Sequence, residues 1–232
     1  VPAAAAGEAE AAINPEGLPP APPPVEVRPE ELGRLDKGEV VLRTVRVSDD
    51  ERWAEALYLF DATPVELWDL VTDPPTQQDM FKELELYEMI HKHPDGLDTH
   101  GIANAAWFIP DFEYWLRTRN DGTKQWNAWL QTKGDFNRND GYWRFVWNPE
   151  RRRTYGVLTL HLAFKGILSI VPDSWIVSLQ KSNMPKAIQT IQDRVNLVRE
   201  EEPDLARRRQ AEWAESIANG KARPWTLQVV SN

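Results

Sequence analysis

The stretch 175–202, WIVSLQKSNMPKAIQTIQDRVNLVREEE, decides how the chain reads. Met184, Ala187, Ile188, Ile191, Val195 and Val198 recur every three or four residues, and Lys186, Gln189, Gln192, Asp193, Arg194 and Arg199 fill the other side. That is the period of a helix with one apolar stripe. The spacing predicts about five turns, capped by Ser182 or Asn183, with Pro185 in the first turn where its missing amide hydrogen has no partner to satisfy. Glu200, Glu201, Glu202 and then Pro203 end it. Such a stripe must be buried against something apolar. The segments upstream are strand-like and rich in aromatic residues, so the chain predicts a long helix lying across a curved antiparallel sheet.

Working back from the helix, 155–164, 142–147, 124–133, 112–119 and 102–109 read as strands of a meander. Asn148-Pro149-Glu150, Asn139-Asp140-Gly141 and Asn120-Asp121-Gly122 supply turn chemistry at its joints. Further upstream, 84–91, 53–60 and 40–47 are also strand-like. In 53–60, Ala54, Ala56, Tyr58 and Phe60 alternate with Glu55, Leu57 and Leu59. Between them, Thr63, Pro64 and Glu66 form a helix-start signature for 65–72, stopped by Asp73-Pro74-Pro75, and 77–82 reads as a second short helical piece.

Strand alternation places Phe112, Tyr114 and Leu116, then Trp126, Ala128 and Leu130, then Trp143, Phe145 and Trp147, then Leu158, Leu160 and Leu162 on the face toward the helix. This is more aromatic bulk than one stripe covers. A space lined by such side chains suits an apolar ligand; the competing expectation is that the rings fill a solid core. The expected lining is Tyr58, Phe60, Tyr114, Trp126, Leu130, Trp143, Phe145, Trp147 and Leu160 from the sheet, with Met184, Ile188 and Ile191 from the helix. Indole nitrogens and the Tyr114 hydroxyl are the candidate hydrogen-bond donors.

Composition narrows the function classes. The 232 residues are 41% hydrophobic with eleven Trp, enough for one domain with a real core and appendages. With no cysteine, disulfides and thiolate metal sites are excluded. The net charge of -9 argues against nucleic acid, whose phosphates call for clustered Lys and Arg. No apolar run reaches the roughly 20 residues that span a bilayer. The expected division is a Pro- and Ala-rich leader or tether over 1–38, a folded domain over 39–202 and a helical extension over 203–232. Residues 1–29 hold eight of the eighteen prolines and little apolar area, so they are expected to add little stability. The small residues of 1–12, opening on Val1, raise the expectation of a removed export signal and a periplasmic or secreted protein, with a cytoplasmic one as the alternative. In the tail, 204–219 reads as a helix ended by Gly220, and 225–230 as strand-like.

The order of these pieces resembles the START/SRPBCC superfamily over roughly residues 39–199. Two anchors carry the resemblance: Ala62, Pro64, Leu67 and Trp68 at the short helix start, and Pro172, Trp175 and Pro185 around the entry to the long helix. It implies an α+β helix-grip fold whose cavity, between sheet and C-terminal helix, holds a lipid, a sterol or a quinone-like molecule. The superfamily includes polyketide cyclases and coenzyme Q-binding proteins and has no shared catalytic motif, so the resemblance carries over no catalytic residue.

Three other constellations stand out. His91-Lys92-His93, with Asp95, Asp98 and His100, has a metal-like spacing but sits in what reads as a polar loop. Arg151-Arg152-Arg153 at a hairpin tip suits either solvent or an anionic lipid headgroup in a transient membrane contact. His161 lies on a strand, with no acidic partner that spacing identifies. No motif for a cofactor or for acid–base chemistry appears, so the expected function is non-enzymatic carriage of a hydrophobic small molecule or lipid, with a polyketide cyclase or aromatase as the competing class.

Overall fold

The computed structural model describes residues 18–46, 52–104, 111–165, 173–222 and 227–230, except for the side chains of 46, 173–177 and 179. Eight antiparallel strands make one sheet: β2 (Val41–Arg46), β3 (Arg52–Phe60), β4 (Leu84–His93), β5 (Gly96–Ala103), β6 (Phe112–Asn120), β7 (Trp126–Gly134), β8 (Phe136–Asn148) and β9 (Arg153–Phe164). Their spatial order is β2-β3-β9-β8-β7-β6-β5-β4. Between β3 and β4 lie α2 (Pro64–Thr72) and α3 (Pro74–Met80), and the sheet is followed by α4 (Asp173–Glu201) and α5 (Pro203–Ala218).

The long helix packs as its stripe requires. Met184, Ile188, Ile191 and Val195 are buried in one cluster with Ala54, Ala56 and Phe60 of β3, Trp143 and Phe145 of β8, and Leu67, Trp68, Leu70 and Val71 of α2. Its start differs from expectation: α4 begins at Asp173, so Ser182 and Asn183 are not its cap and Pro185 lies inside it. A proline there removes one backbone hydrogen bond. Contacts on both sides of Pro185 carry the helix across it. Upstream, the Gln180 amide, oriented to match, bridges Leu160 O and Leu162 N at 3.1 Å each, where β3 no longer covers β9; downstream, the stripe is buried. Truncating Ile191, 1% exposed, to Ala is expected to cost about 2–5 kcal/mol in chemical denaturation. A loss near zero would mean the stripe is not gripped.

Signals for α2 hold in detail. Thr63 Oγ1 accepts from Glu66 N at 3.3 Å and Glu66 Oε2 accepts from Thr63 N at 2.8 Å, a reciprocal capping box. Pro74 does not merely stop α2, since Asp73 caps α3 through Thr76 N at 3.1 Å and Pro74 opens it.

Two strands differ from the sequence reading. The segment read as a strand over 102–109 is β5 at Gly96–Ala103, and residues 105–110 lie outside the described residues. Asn139-Asp140-Gly141 is not a turn but the middle of β8. The turn lies instead between Gly134, at φ +139, and Phe136. Gly141 is needed where it stands: a Cβ there would sit 2.4 Å from Trp129 Cζ2.

The leader is where expectation and structure part most. Val25, Val27 and Leu35 are buried with Val41, Leu57, Leu59, Val146, Tyr155 and Val157 on the face opposite α4. The short β1 (Glu26–Val27) pairs in parallel with β10 (Gln228–Val229) of the tail, and α1 (Pro29–Leu35) follows it. The expectation that 1–29 lies apart from the core is therefore corrected for its described part. Low average apolar content hid two valines placed where β3 and β9 present a second apolar face.

Candidate ligand cavity

On the helix side of the sheet, the core divides into a filled half and an open half. Phe60, Phe145, Ile188 and Ile191 are at most 1% exposed, and Tyr58 and Leu160 lean on the same cluster. Phe60 meets Trp143 edge-on at 6.5 Å, and Trp143 stacks on Phe145 at 5.9 Å. Here the solid-core expectation holds.

The open half is displaced toward β4–β7. A cavity of about 190 Å³ is bounded by Val71 and Thr72 of α2, Gln77 of α3, Leu84 and Tyr87 of β4, and Leu97 and Thr99 of β5. Tyr114, Leu116 and Thr118 of β6, Asn127 and Trp129 of β7, and Asn139 and Trp143 of β8 complete it. Of the twelve residues expected to line one pocket, Tyr114 and Trp143 line this cavity. Phe60, Phe145, Met184, Ile188 and Ile191, with Tyr58 and Leu160 beside them, form its packed neighbour instead. Trp147 goes to a different contact, edge-on to Trp213 of α5 at 6.1 Å.

Trp126 and Leu130 were placed on the wrong face. Across the ladder Trp129 faces Gly141 and Asn127 faces Trp143, so the inward set of β7 is Asn127 and Trp129, and Trp126, Ala128 and Leu130 point to the opposite face. There the Arg119 guanidinium lies 5.6 Å above the Trp126 ring. Alternation chose the more apolar set, but a covered outer face can be as apolar as the inner one. A register shift in the β6–β7 pairing at Trp115/Leu116 adds to the difference.

Two glycines let the cavity walls lie flat. Besides Gly141 under Trp129, Gly101 faces Tyr114 across β5–β6, and a Cβ on it would fall 2.5 Å from Tyr114 Cζ. The polar atoms of the wall are partly committed. Thr118 Oγ1 accepts from Leu97 N at 2.9 Å and donates to Leu97 O at 3.2 Å, Asn127 Nδ2 donates to Asn120 Oδ1 at 2.6 Å, and Thr99 Oγ1 donates to Tyr87 Oη at 3.4 Å. The Asn139 side-chain amide and the Tyr114 hydroxyl have no hydrogen-bond partner among the described residues. Burial pushes both the Tyr87 and Tyr114 phenols up, so both stay neutral at physiological pH. No lining residue carries a charge at neutral pH.

The other singled-out residues lie elsewhere. His161 is on the opposite face, stacked on Trp53 at 5.5 Å. His91 and His93 belong to strand β4 rather than to a loop; His93 Nε2 meets Asp98 Oδ2 at 2.8 Å, and His100 lies between Glu88 at 3.2 Å and Glu113 at 2.9 Å. Arg151 pairs with Asp36 of the leader.

The tail, read as a helix over 204–219, is one over Pro203–Ala218 and is pinned at Glu66. Its carboxylate accepts from Arg199 Nε at 2.8 Å and Nη2 at 3.2 Å and from Gln210 Nε2 of α5 at 3.0 Å, and Arg209 reaches Asp69 at 2.6 Å. Sequence reading saw Glu66 only as a capping residue, because its partners come 133 and 144 positions later.

No protein-family model matches the sequence, and no curated protein matches it. Solved structures do. A START superfamily protein from Mycobacterium smegmatis superposes with a TM-score of 0.54 at 12% identity, over 63% of this chain and 98% of that one. An aromatase/cyclase from Streptomyces sp. R1128 gives 0.53 at 14%, over 70% and 98%, and a STAR-related lipid transfer protein from Xanthomonas axonopodis gives 0.53 at 12%, over 68% and 92%. At such identities the likeness establishes architecture, and that architecture is the one that the sheet and the gripped helix display: the chain has the α+β helix-grip fold that these structures share.

Proposed function

We propose that the protein binds and carries, without chemistry, one neutral hydrophobic molecule about the size of a single ring system. The observation that carries this reading is the uncharged cavity, whose wall includes the Asn139 amide and the Tyr114 hydroxyl as uncommitted polar groups. A volume of about 190 Å³ exceeds the roughly 150 Å³ that accepts benzene and falls short of the roughly 300 Å³ at the low end of drug-sized pockets. A sterol or an acyl chain would require the cavity to open further. An anionic headgroup inside it would be desolvated with no counter-charge.

Neighbours of this fold include both a lipid transfer protein and an aromatase/cyclase. The carrier reading is favoured by the chemistry of the wall: burial holds both tyrosine protons tightly, and His161 is on the other face of the sheet. A neutral probe tests it. Titration with 2-naphthol, read by tryptophan fluorescence, is expected to show saturable binding that Trp143→Asp weakens at least tenfold and Arg152→Ala leaves unchanged. Tighter binding of stearate than of 2-naphthol, or turnover of an offered polyketide, would overturn it.

A further inference from the structure

The leader does more than shield two valines. Residues 19–23 cross the face opposite α4 as a strap with no backbone partner strand among the described residues. Arg119 Nη1 donates to Pro19 O at 3.5 Å, and Arg144 Nη1 donates to Pro22 O at 2.7 Å and also to Pro23 O. A polyproline chain leaves its carbonyls unbonded, and these two guanidinium groups take three of them. Two arginine side chains of the sheet thus hold the strap, in which Pro19 and Pro22 are buried.

The gap beneath has a volume of about 210 Å³. Its roof includes Pro19 and Pro22, and its floor Trp53, Ala128, Leu130 and Tyr142. Its surface is more dominated by carbon than that of the helix-side cavity, and the charged residues at its edge, Arg138 and Asp140, pair at 3.0 Å. We propose that this chamber is a second binding site, distinct from the helix-side cavity, for a neutral aromatic molecule of one ring system sandwiched between the proline roof and the Trp53 and Tyr142 floor. The volume is above the roughly 150 Å³ at which a dry apolar cavity takes up benzene or xenon. Proline rings over aromatic side chains are a recurrent apolar pairing, and a flat ring between them keeps both contacts. Ordered water has little to hold it there, since a buried water needs two to four polar partners.

Xenon-pressurised crystals of the full chain and a toluene titration followed by the Trp53 and Trp143 indole N–H resonances test this. Xenon is expected under the strap, with a saturable toluene shift at Trp53. Ala128→Leu, which fills the floor at a residue 2% exposed, is expected to weaken that response at least tenfold while the Trp143 response stays. Should Ala128→Leu fail to fold, deletion of residues 1–21 removes Pro19 from the roof and must abolish the Trp53 response. An empty chamber under xenon, or a Trp53 response that survives the roof deletion or a folded Ala128→Leu, overturns the proposal. A Trp53 response without one at Trp143 supports this site and counts against the helix-side reading alone.

Discussion

Replacing Glu66 with Ala is expected to cost about 3–5 kcal/mol of stability, since it strips one partner from a buried ion pair. The Glu66 side chain is only 4% exposed, and Arg199 would keep Asp61 at 3.5 Å as its remaining partner. The same change removes the carboxylate half of the α2 capping box and the Gln210 contact that seats α5. Glu66→Gln, which keeps the shape without the charge, is expected to lose less. Chemical denaturation measures both, and a loss under about 1 kcal/mol for Glu66→Ala, the size of an ordinary cap, would mean that the hub does not hold the tail.

A pH signature accompanies it. Burial alone would raise the Glu66 pKa, but hydrogen bonds from Arg199, Thr63 N and Gln210 outweigh it and hold the carboxyl below its ordinary 4.5. A group whose folded pKa is depressed contributes stability above its unfolded value and loses it as pH falls through the folded one. Stability should therefore decline below about pH 4.5, and Glu66→Gln should flatten that decline. An unchanged acid limb in the variant would place the proton uptake elsewhere.

Deleting residues 1–28 is expected to lower stability by about 4 kcal/mol or more, against the near-zero effect that composition suggests. Val25 and Val27, 8% and 0% exposed, are each worth about 1.5–3 kcal/mol of burial. Arg144, itself 2% exposed, would also lose its Pro22 and Pro23 acceptors. At roughly 2–4 °C per kcal/mol for a chain of this size, the melting temperature should fall by about 10 °C. A shift within a degree or two would mean that β1 and the strap rest on the sheet without stabilising it.

The helix-grip architecture was legible because its signals are local. The period of α4, the Thr63-Pro64-Glu66 start of α2 and the turns after β6 and β8 are each written within a few adjacent residues. What escaped depends on partners far along the chain. The outward face of β7 is apolar because the leader covers it, so alternation alone assigned Trp126 and Leu130 inward. Gly141 looked like a turn because nothing in its own neighbourhood announces the Trp129 ring lying across it. In the site, the aromatic residues that seemed to promise a large pocket mostly pack on one another, and the cavity opens instead where Thr99, Thr118, Asn127 and Asn139 interrupt them. Polar residues at inward strand positions were the available signal, and counting aromatic bulk passed over it.

Native mass spectrometry of the full chain, taken from the organism that makes it and kept in volatile buffer, tests the carrier reading most directly. The account predicts a fraction of the chain bearing one small neutral adduct, with that adduct absent from a folded Trp143→Asp variant prepared in the same way. A chain that remains bare at every collision energy, or one whose adduct is an acidic lipid unaffected by Trp143→Asp, would contradict it.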